Sequence, residues 1–112
     1  MPTIFTKIIN REIPATIVYE DEHCLAFRDV RPQAPTHVLV IPKREIAAVD
    51  AISTSDAELL GHLWVTIPKI AQQEGLSGGY RVVVNNGADA GQTVDHIHFH
   101  ILGGRSMTWP PG

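Results

Sequence analysis

The chain has 112 residues with a formal net charge of -3, and 44% of its residues are hydrophobic while 19% are charged. A chain of this length builds one hydrophobic core, which excludes a two-domain enzyme with its cleft between lobes. The nine basic and twelve acidic residues are scattered, which argues against a broad phosphate-binding face for nucleic acid. No apolar run approaches the roughly 20 residues of a spanning helix, so we expect no membrane association.

We expect no export signal in the first residues of the sequence. Lys7, Arg11 and Glu12 fall where a signal peptide needs an uninterrupted apolar stretch. The single cysteine, Cys24, cannot form an intrachain disulfide and supplies no cysteine metal cluster. We therefore expect one cytoplasmic domain that spans residues 1–112.

The first half of the chain predicts a short helix followed by strands. Apolar residues at helical spacing favour a short amphipathic helix over residues 4–10. Residues 16–20 and 24–28 are β-prone runs around an acidic turn, which predicts a hairpin. A loop with two prolines follows at residues 31–36, and residues 37–41 form a third strand.

A long helix is predicted in the second half. Ser55 and Glu58 have the spacing of a capping box at its start. Apolar residues then recur every three or four positions, and Gly75 supplies the end of the helix. Trp64 falls on this apolar stripe, so we expect it in the core.

The last strands are predicted at residues 80–84 and 96–102, joined by a loop rich in Gly, Asn and Asp. Strands dominate, and there is no regular alternation of strand and helix that would favour a parallel sheet. The fold class is therefore α+β, with an antiparallel sheet of about five strands, one long helix and one short helix.

Three of the six histidines, His96, His98 and His100, lie at alternate positions of the last predicted strand. Side chains alternate across a strand, so these imidazoles share one face and the intervening apolar residues share the other. The apolar face can pack against the long helix, whereas the imidazole face needs hydrogen-bond partners or a ligand. His23, in a turn, and His62, on the polar side of the helix, are expected to be ordinary surface residues.

A zinc site is one interpretation of the histidine pattern. The outer two histidines start about 13 Å apart along the strand, which is too far for all three to chelate one ion. Two of them together with His37 remain an open alternative. No cysteine and no neighbouring carboxylate on the same face completes that set, so we expect no bound metal.

Phosphorus chemistry is the second interpretation. The loop before the histidines contains Asn85, Gly91 and Thr93, whose backbone amides and small donors are typical of a phosphate cradle. An imidazole near neutrality is a nucleophile without prior deprotonation, and neighbouring imidazoles can donate to phosphate oxygens. This chemistry needs no cofactor.

The segment VDHIHFHIL resembles the signature of the histidine-triad (HIT) nucleotide-binding proteins. The segments AFRDVRPQAPTHVLVIPK, GYRVVVNNGADAGQTV and GGRSMTWPPG resemble the Hint branch of that family, whose members are purine nucleoside phosphoramidases. The resemblance implies a HIT-like fold, a sheet that continues across a homodimer, and a purine nucleotide as the substrate.

The same resemblance implies roles for individual residues. His98 would be the nucleophile that takes the nucleoside monophosphate covalently, flanked by His96 and His100, with His37 as the fourth member of the cluster. Asp29 would hold the ribose hydroxyls through its carboxylate.

Further positions are implied around the nucleotide. Asn85, Gly91 and Thr93 would line the phosphate and leaving-group side, and Trp109 would contact substrate across the dimer. Arg28 departs from the family pattern, and because it is adjacent to Asp29 we expect it at the nucleotide as well. The residues implied near the base are Ile4, Phe5, Ile8, Ile13, Phe27 and Val30.

These expectations converge on a hydrolase that cleaves the P–N bond of purine nucleoside 5'-phosphoramidates through a nucleotidyl-histidine. Two alternatives stay open. One is a dinucleoside polyphosphate hydrolase of the same family, and the other is a nucleotide-binding interaction module whose cellular role is not catalysis.

Overall fold

A computed structural model describes residues 2–112 of the chain. There are two α-helices, α1 (Ile4–Ile9) and α2 (Ala57–Gln73). The five strands are β1 (Ile17–Glu20), β2 (Cys24–Arg28), β3 (Thr36–Pro42), β4 (Tyr80–Val83) and β5 (Phe99–Gly103). Short 3-10 turns lie at Val49–Ala51, Thr54–Asp56 and Ala88–Ala90.

The strands form one antiparallel sheet in the order β1-β2-β3-β5-β4, so β4 lies at an edge. The turn between β1 and β2 is held by Asp21, whose Oδ1 accepts hydrogen bonds from the backbone N–H groups of His23 and Cys24 at 2.8 and 2.9 Å. This is the hairpin that the sequence predicts. The antiparallel α+β prediction, with one long and one short helix, is confirmed.

Each face of the sheet has its own apolar cluster. On one face α2 packs against residues of the central strands, and the cluster includes Leu63, Ile67, Ile70, Val38, Val40, Ile97, Phe99 and Ile101. On the other face lies α1, in a cluster made of Phe5, Ile8, Leu25, Phe27, Leu39 and Ile41. Alternate residues of β3 thus enter different clusters, as the pleat of a strand requires.

The last strand begins later than the sequence predicts. β5 starts at Phe99, whereas the histidine pattern predicts a strand from residue 96. The backbone N–H of Ile97 instead donates to the carbonyl of Ile46 at 2.7 Å, in the connection after β3. The prediction of alternating faces still holds, since Ile97 is 2% exposed within the α2-side cluster.

The start of α2 also differs from the prediction. The capping box joins Ser53 and Asp56, with the backbone N–H of Ser53 donating to Asp56 Oδ2 at 2.9 Å. Ser55 and Glu58, the predicted pair, do not form it. A 3-10 turn precedes the α-helix, which moves the cap two residues towards the N-terminus.

Trp64 is not a core residue, contrary to its predicted position. Its side chain is 51% exposed, and its ring contacts Phe99 edge-to-face with the centroids 5.3 Å apart. Leu63 and Ile67 occupy the centre of the buried stripe, which leaves Trp64 at its margin. Neither helix in residues 2–112 has the length and apolar content that crossing a membrane requires.

Candidate active site

Four histidines come together on the α1 side of the sheet. His37 lies on β3 and His100 on β5, while His96 and His98 lie in the segment that enters β5. His37 and His100 share a face because Leu39, two residues from His37, is directly opposite His100 in the ladder. His96, His98 and His37 are buried, so their ring nitrogens need partners within the protein or on a ligand.

One ring nitrogen of His98 is committed to the backbone. Its Nδ1 lies 2.7 Å from the carbonyl oxygen of His96, and a carbonyl can only accept, so Nδ1 carries the proton. In the neutral imidazole, Nε2 of His98 therefore carries the lone pair. The ring of Phe5 packs edge-to-face against that of His98 at a centroid distance of 5.0 Å, which restricts the orientation of the imidazole.

A chain of hydrogen bonds fixes the protons of two further histidines. The backbone N–H of Gln33 donates to His37 Nδ1 at 3.1 Å, so the proton of neutral His37 is on Nε2. That Nε2 lies 2.9 Å from His100 Nδ1 and donates to it, which leaves the proton of His100 on its own Nε2. We call these three groups the His37–His100 relay.

The relay ends in a donor without an acceptor. His100 Nε2 is buried and has no hydrogen-bond partner among residues 2–112. The rings of His98 and His100 have centroids 5.0 Å apart. The lone pair of His98 Nε2 and the N–H of His100 thus lie on neighbouring rings. This arrangement suits nucleophilic attack by His98 on an atom such as phosphorus, while His100 donates to an oxygen on that atom.

Burial keeps the imidazoles of His37 and His100 neutral. Burial, together with the nearby His98 and His37, lowers the pKa of His100 to about 4. Burial also lowers the pKa of His37, against the opposing effect of the Asp29 carboxylate. The neutral forms that the relay requires are therefore the dominant forms at pH 7.

His96 has a supporting position. It is fully buried, and its Nε2 donates to the carbonyl oxygen of Pro42 at 2.8 Å. Burial lowers the pKa of His96, so its ring is neutral as well. The contact with Pro42 fixes the segment whose carbonyl holds His98 Nδ1.

Asp29 follows β2 and lies next to His37. Its Oδ2 is 3.5 Å from His37 Nε2, and its Oδ1 accepts a hydrogen bond from the backbone N–H of Arg31 at 2.8 Å. One ligand atom from each of Asp29, His37 and His100 lies within 4.8 Å of the others. The expectation that no neighbouring carboxylate completes a set with His37 is therefore wrong, because Asp29 comes from the end of β2, a different strand from the histidines.

The apolar residues expected near the base divide into two groups. Phe5, Ile8 and Phe27 are buried together in the α1-side cluster, with the rings of Phe5 and Phe27 5.5 Å apart. Val30 is 92% exposed and takes no part in this cluster. The structure brings the first three to the histidines and leaves the fourth in solvent.

Arg28 is not brought to the histidine face. Arg28 and Ala26 are two positions apart on β2, so their side chains point to the same face, and Ala26 belongs to the α2-side cluster. Its guanidinium forms two hydrogen bonds to the Glu74 carboxylate at 2.7 and 3.1 Å, beyond the end of α2. The expectation that Arg28 contacts the nucleotide does not fit this placement.

Three backbone amides of the loop before the histidines are already used within it. The N–H of Gly91 donates to the carbonyl of Ala88, and the N–H of Gln92 donates to the carbonyl of Gly87. The N–H of Gly87 donates to the side chain of Gln92 at 2.8 Å. Gly91 is one of the predicted cradle residues, and its amide is therefore not free to bind a phosphate.

Gln92 is a residue whose importance the sequence does not reveal. Besides accepting from Gly87, its side-chain amide donates to the carbonyls of Ala47 and Val94 at 2.8 and 3.0 Å. A glutamine in a polar loop carries no local pattern that predicts these contacts. Its three hydrogen bonds tie the loop to the connection after β3 and so fix the segment that leads to His96.

Thr93 lies next to an open cleft, and Asn85 is half-buried at the end of β4. The cleft has a volume of about 510 Å³ and is also lined by Thr3, Glu45 and Asp95. Thr3 caps α1, which carries the Phe5 ring that touches His98. The cleft and the histidine site thus both lie beside α1, although no histidine lines the cleft.

The C-terminal tail lies beside β4 rather than over this chain's own histidines. Arg81 of β4 donates to the carbonyl of Thr108 at 2.8 Å, and its guanidinium carbon lies 5.7 Å from the centre of the Trp109 ring. Trp109 is 80% exposed. Its indole is held at the sheet edge and presented outwards.

Known proteins share this sequence and structure throughout. The HIT domain family matches residues 10–107. An uncharacterized HIT-like protein of Synechococcus elongatus is 63% identical over 98% of this chain and 96% of its own length. The 14 kDa zinc-binding protein of Zea mays is 55% identical over 99% of this chain and 88% of its own length.

A solved structure agrees closely in fold. The crystal structure of a HIT family hydrolase from Legionella pneumophila has a TM-score of 0.97, with 54% identity over 99% of this chain and 100% of that chain. The chain thus combines an antiparallel sheet with a cluster of histidine side chains on and beside the neighbouring strands β3 and β5. The chain is a member of the HIT domain family, and the predicted HIT-like fold is confirmed.

Proposed function

We propose that the protein is a hydrolase that cleaves the P–N bond of purine nucleoside 5'-phosphoramidates through a nucleotidyl-histidine intermediate on His98. The observation that carries this proposal is the free lone pair of His98 Nε2 beside the unpartnered N–H of His100. The Legionella neighbour is named a hydrolase, which supports this class of reaction.

His98 is suited to covalent catalysis at phosphorus. Its Nε2 attacks the phosphorus as the P–N bond breaks, and the departing nitrogen takes up a proton from solvent, which the water of the second step returns. The adduct bears a positive imidazolium ring, and the Nδ1–H bond to the His96 carbonyl stabilises that charge. Water then attacks phosphorus, which releases the nucleoside monophosphate and restores the neutral imidazole.

His100 supplies electrostatic stabilisation in this scheme. Its Nε2–H donates to a nonbridging phosphate oxygen as negative charge grows in the transition state. The donor is held in place by His37, so it needs no reorganisation during the reaction.

The nucleoside is assigned to the apolar wall beside the histidines. Phe5, Ile8 and Phe27 provide the apolar side of a purine site, and Asp29 provides carboxylate oxygens for the ribose hydroxyls. Asn85 and Thr93 remain the proposed contacts on the phosphate and leaving-group side, and Gly91, whose amide donates to Ala88, is proposed to line this side without donating from its backbone.

Zinc, which the name of the maize relative mentions, could use Asp29, His37 and His100 as ligands in this site. Those ligands are engaged differently, since His37 Nε2 carries the proton that it donates to His100 Nδ1. A metal held by His37 Nε2 and His100 Nδ1 would require His37 to move its proton to Nδ1, the atom that accepts the N–H of Gln33. The proposed steps therefore use only the imidazoles.

The test of this function compares His98→Ala with His23→Ala, a matched change at a histidine in an exposed turn. With adenosine 5'-phosphoramidate, we expect turnover to be abolished in the first variant and unchanged in the second. Rapid mixing followed by mass spectrometry should show one nucleotidyl group on the native chain. Undiminished turnover by His98→Ala would refute the proposal, and faster cleavage of diadenosine polyphosphate would favour the alternative hydrolase.

We also propose that the working unit is a homodimer in which the sheet continues across paired β4 edges. β4 lies at the edge of the sheet and begins with the exposed Tyr80, and the exposed Trp64 packs against Phe99 of the neighbouring β5. The tail beside β4 would then carry Trp109 towards the second subunit. Sedimentation velocity measures the oligomeric state directly, and a monomer at micromolar concentration would contradict this arrangement.

A further inference from the structure

We propose that Asp21, Cys24 and His62 form a binding site for a divalent transition-metal ion of the zinc type, separate from the histidine site. Asp21 lies in the β1–β2 turn, Cys24 begins β2, and His62 is on α2. Cys24 belongs to the α2-side cluster, so this site is on the opposite face of the sheet from the His37–His100 relay.

The ligand atoms are close enough to converge on one ion. One atom from each of Asp21, Cys24 and His62 lies within 4.8 Å of the others, and Asp21 Oδ2 is 2.7 Å from His62 Nε2. Tetrahedral zinc, with bonds of about 2.0–2.3 Å, separates its ligand atoms by about 3.3–3.8 Å. The site therefore needs adjustments of about 1 Å or less.

Hydrogen bonds already fix the carboxylate of Asp21. Asp21 Oδ1 accepts the N–H groups of His23 and Cys24, which directs Oδ2 towards His62. The hydroxyl of Tyr19 donates to the same Oδ2 at 3.1 Å. Supporting hydrogen bonds of this kind orient metal ligands and strengthen binding.

The charges of the site favour a dication. Cys24 is fully buried, and its thiol must lose its proton to serve as a metal ligand. A coordinated ion displaces that proton, and His62 moves its proton from Nε2 to Nδ1. One carboxylate, one thiolate and one dication then form a neutral group, which suits a largely buried position.

Solvent reaches the site through a groove of about 840 Å³ lined by His23, His62, Glu22 and Glu58, among others. The ring of His23 is 5.3 Å from that of His62, centre to centre. His23 or a water molecule can therefore complete the coordination. The ion would link the β1–β2 turn to α2.

The experiment is a titration of the full chain with cobalt(II), a spectroscopic substitute for zinc. Cys24 is the only cysteine of the chain, so a thiolate-to-cobalt charge-transfer band reports on this site alone. We expect the band to saturate at one equivalent and to disappear when zinc is added. The other set of candidate ligands, Asp29, His37 and His100, contains no thiol and cannot give this band.

Three variants make the result specific. We expect Cys24→Ser to remove the band and His62→Asn to weaken cobalt binding by at least about 100-fold. His98→Asn, a matched change in the histidine site, should leave the band unchanged. Zinc should also raise the thermal midpoint of the native chain and not that of His62→Asn.

Two outcomes would overturn the proposal. One is a titration of the native chain with no charge-transfer band, and the other is a band of unchanged affinity in His62→Asn. Because the His62 side chain is 31% exposed, that variant keeps the test valid even where Cys24→Ser disturbs folding.

Discussion

Replacement of His37 by alanine tests the His37–His100 relay most directly. The native Nε2–H of His37 donates to His100 Nδ1 at 2.9 Å and so keeps the proton of His100 on Nε2. Without His37, the Nδ1 atom of His100 has lost its donor. His100 can then move its proton to Nδ1, and Nε2 no longer donates to the substrate.

The size of the effect follows from one buried hydrogen bond. An unsatisfied buried acceptor costs about 1–3 kcal/mol. Since 1.36 kcal/mol corresponds to a factor of ten in rate, kcat should fall by about 5- to 150-fold. KM should change much less, because the Nε2–H of His100 acts mainly on charge that develops in the transition state.

Steady-state kinetics with adenosine 5'-phosphoramidate measures both constants. His37→Gln is the matched control, because a glutamine side-chain amide can still donate a hydrogen bond towards His100, and it should recover most of the lost kcat. Equal losses in the alanine and glutamine variants would show that packing rather than the donated proton matters. Native kcat in His37→Ala would refute the relay.

Four further predictions follow from the structure. Arg28→Ala should leave KM for the nucleotide unchanged and lower the free energy of unfolding by no more than about 1 kcal/mol, because the partly exposed Arg28–Glu74 pair lies on the other face; a raised KM would contradict this. Ile101→Ala should cost about 2–5 kcal/mol in urea unfolding, since Ile101 is 0% exposed in the α2-side cluster. Burial lowers the pKa of His100 to about 4 in the folded state, so as the pH falls below about 6.5 the imidazole of the unfolded chain takes up a proton before that of the folded chain does. The free energy of unfolding should therefore fall as the pH drops from about 6.5 towards about 4. Urea midpoints that do not change across this range would contradict the burial argument. Trp64→Glu should shift sedimentation from dimer to monomer, because it places a charge in the proposed interface.

Local pattern was sufficient for most of the fold. The hairpin turn, the two helices and the five strands all follow from periodicity and turn residues, and they occur close to where these predict them. The alternation around His98 also follows from strand geometry, although the regular ladder begins only at Phe99. Element boundaries differed where a non-local contact decides them, as at the N–H of Ile97, which bonds to Ile46.

The site itself depends on contacts between distant parts of the chain. Asp29 approaches His37 because β2 and β3 are neighbours, and no spacing within one strand reveals that. Arg28 is adjacent to Asp29 in sequence, yet its side chain leaves on the opposite face and pairs with Glu74. Because the two residues are neighbours in sequence, we expected Arg28 to contact the nucleotide with Asp29, but the pleat of the strand sends its side chain to the other face.

The alternation of side chains between the two faces at the start of β5 restricts where the chain can gain or lose a residue. A single-residue insertion or deletion between His98 and Gly103 would exchange the two faces, so that imidazoles would enter the apolar cluster and aliphatic side chains would face the substrate. The exposed turn Ala88–Ala90 carries no such constraint, because its side chains enter neither cluster. Relatives of this chain should therefore vary in length at that turn and keep the spacing of the histidines constant.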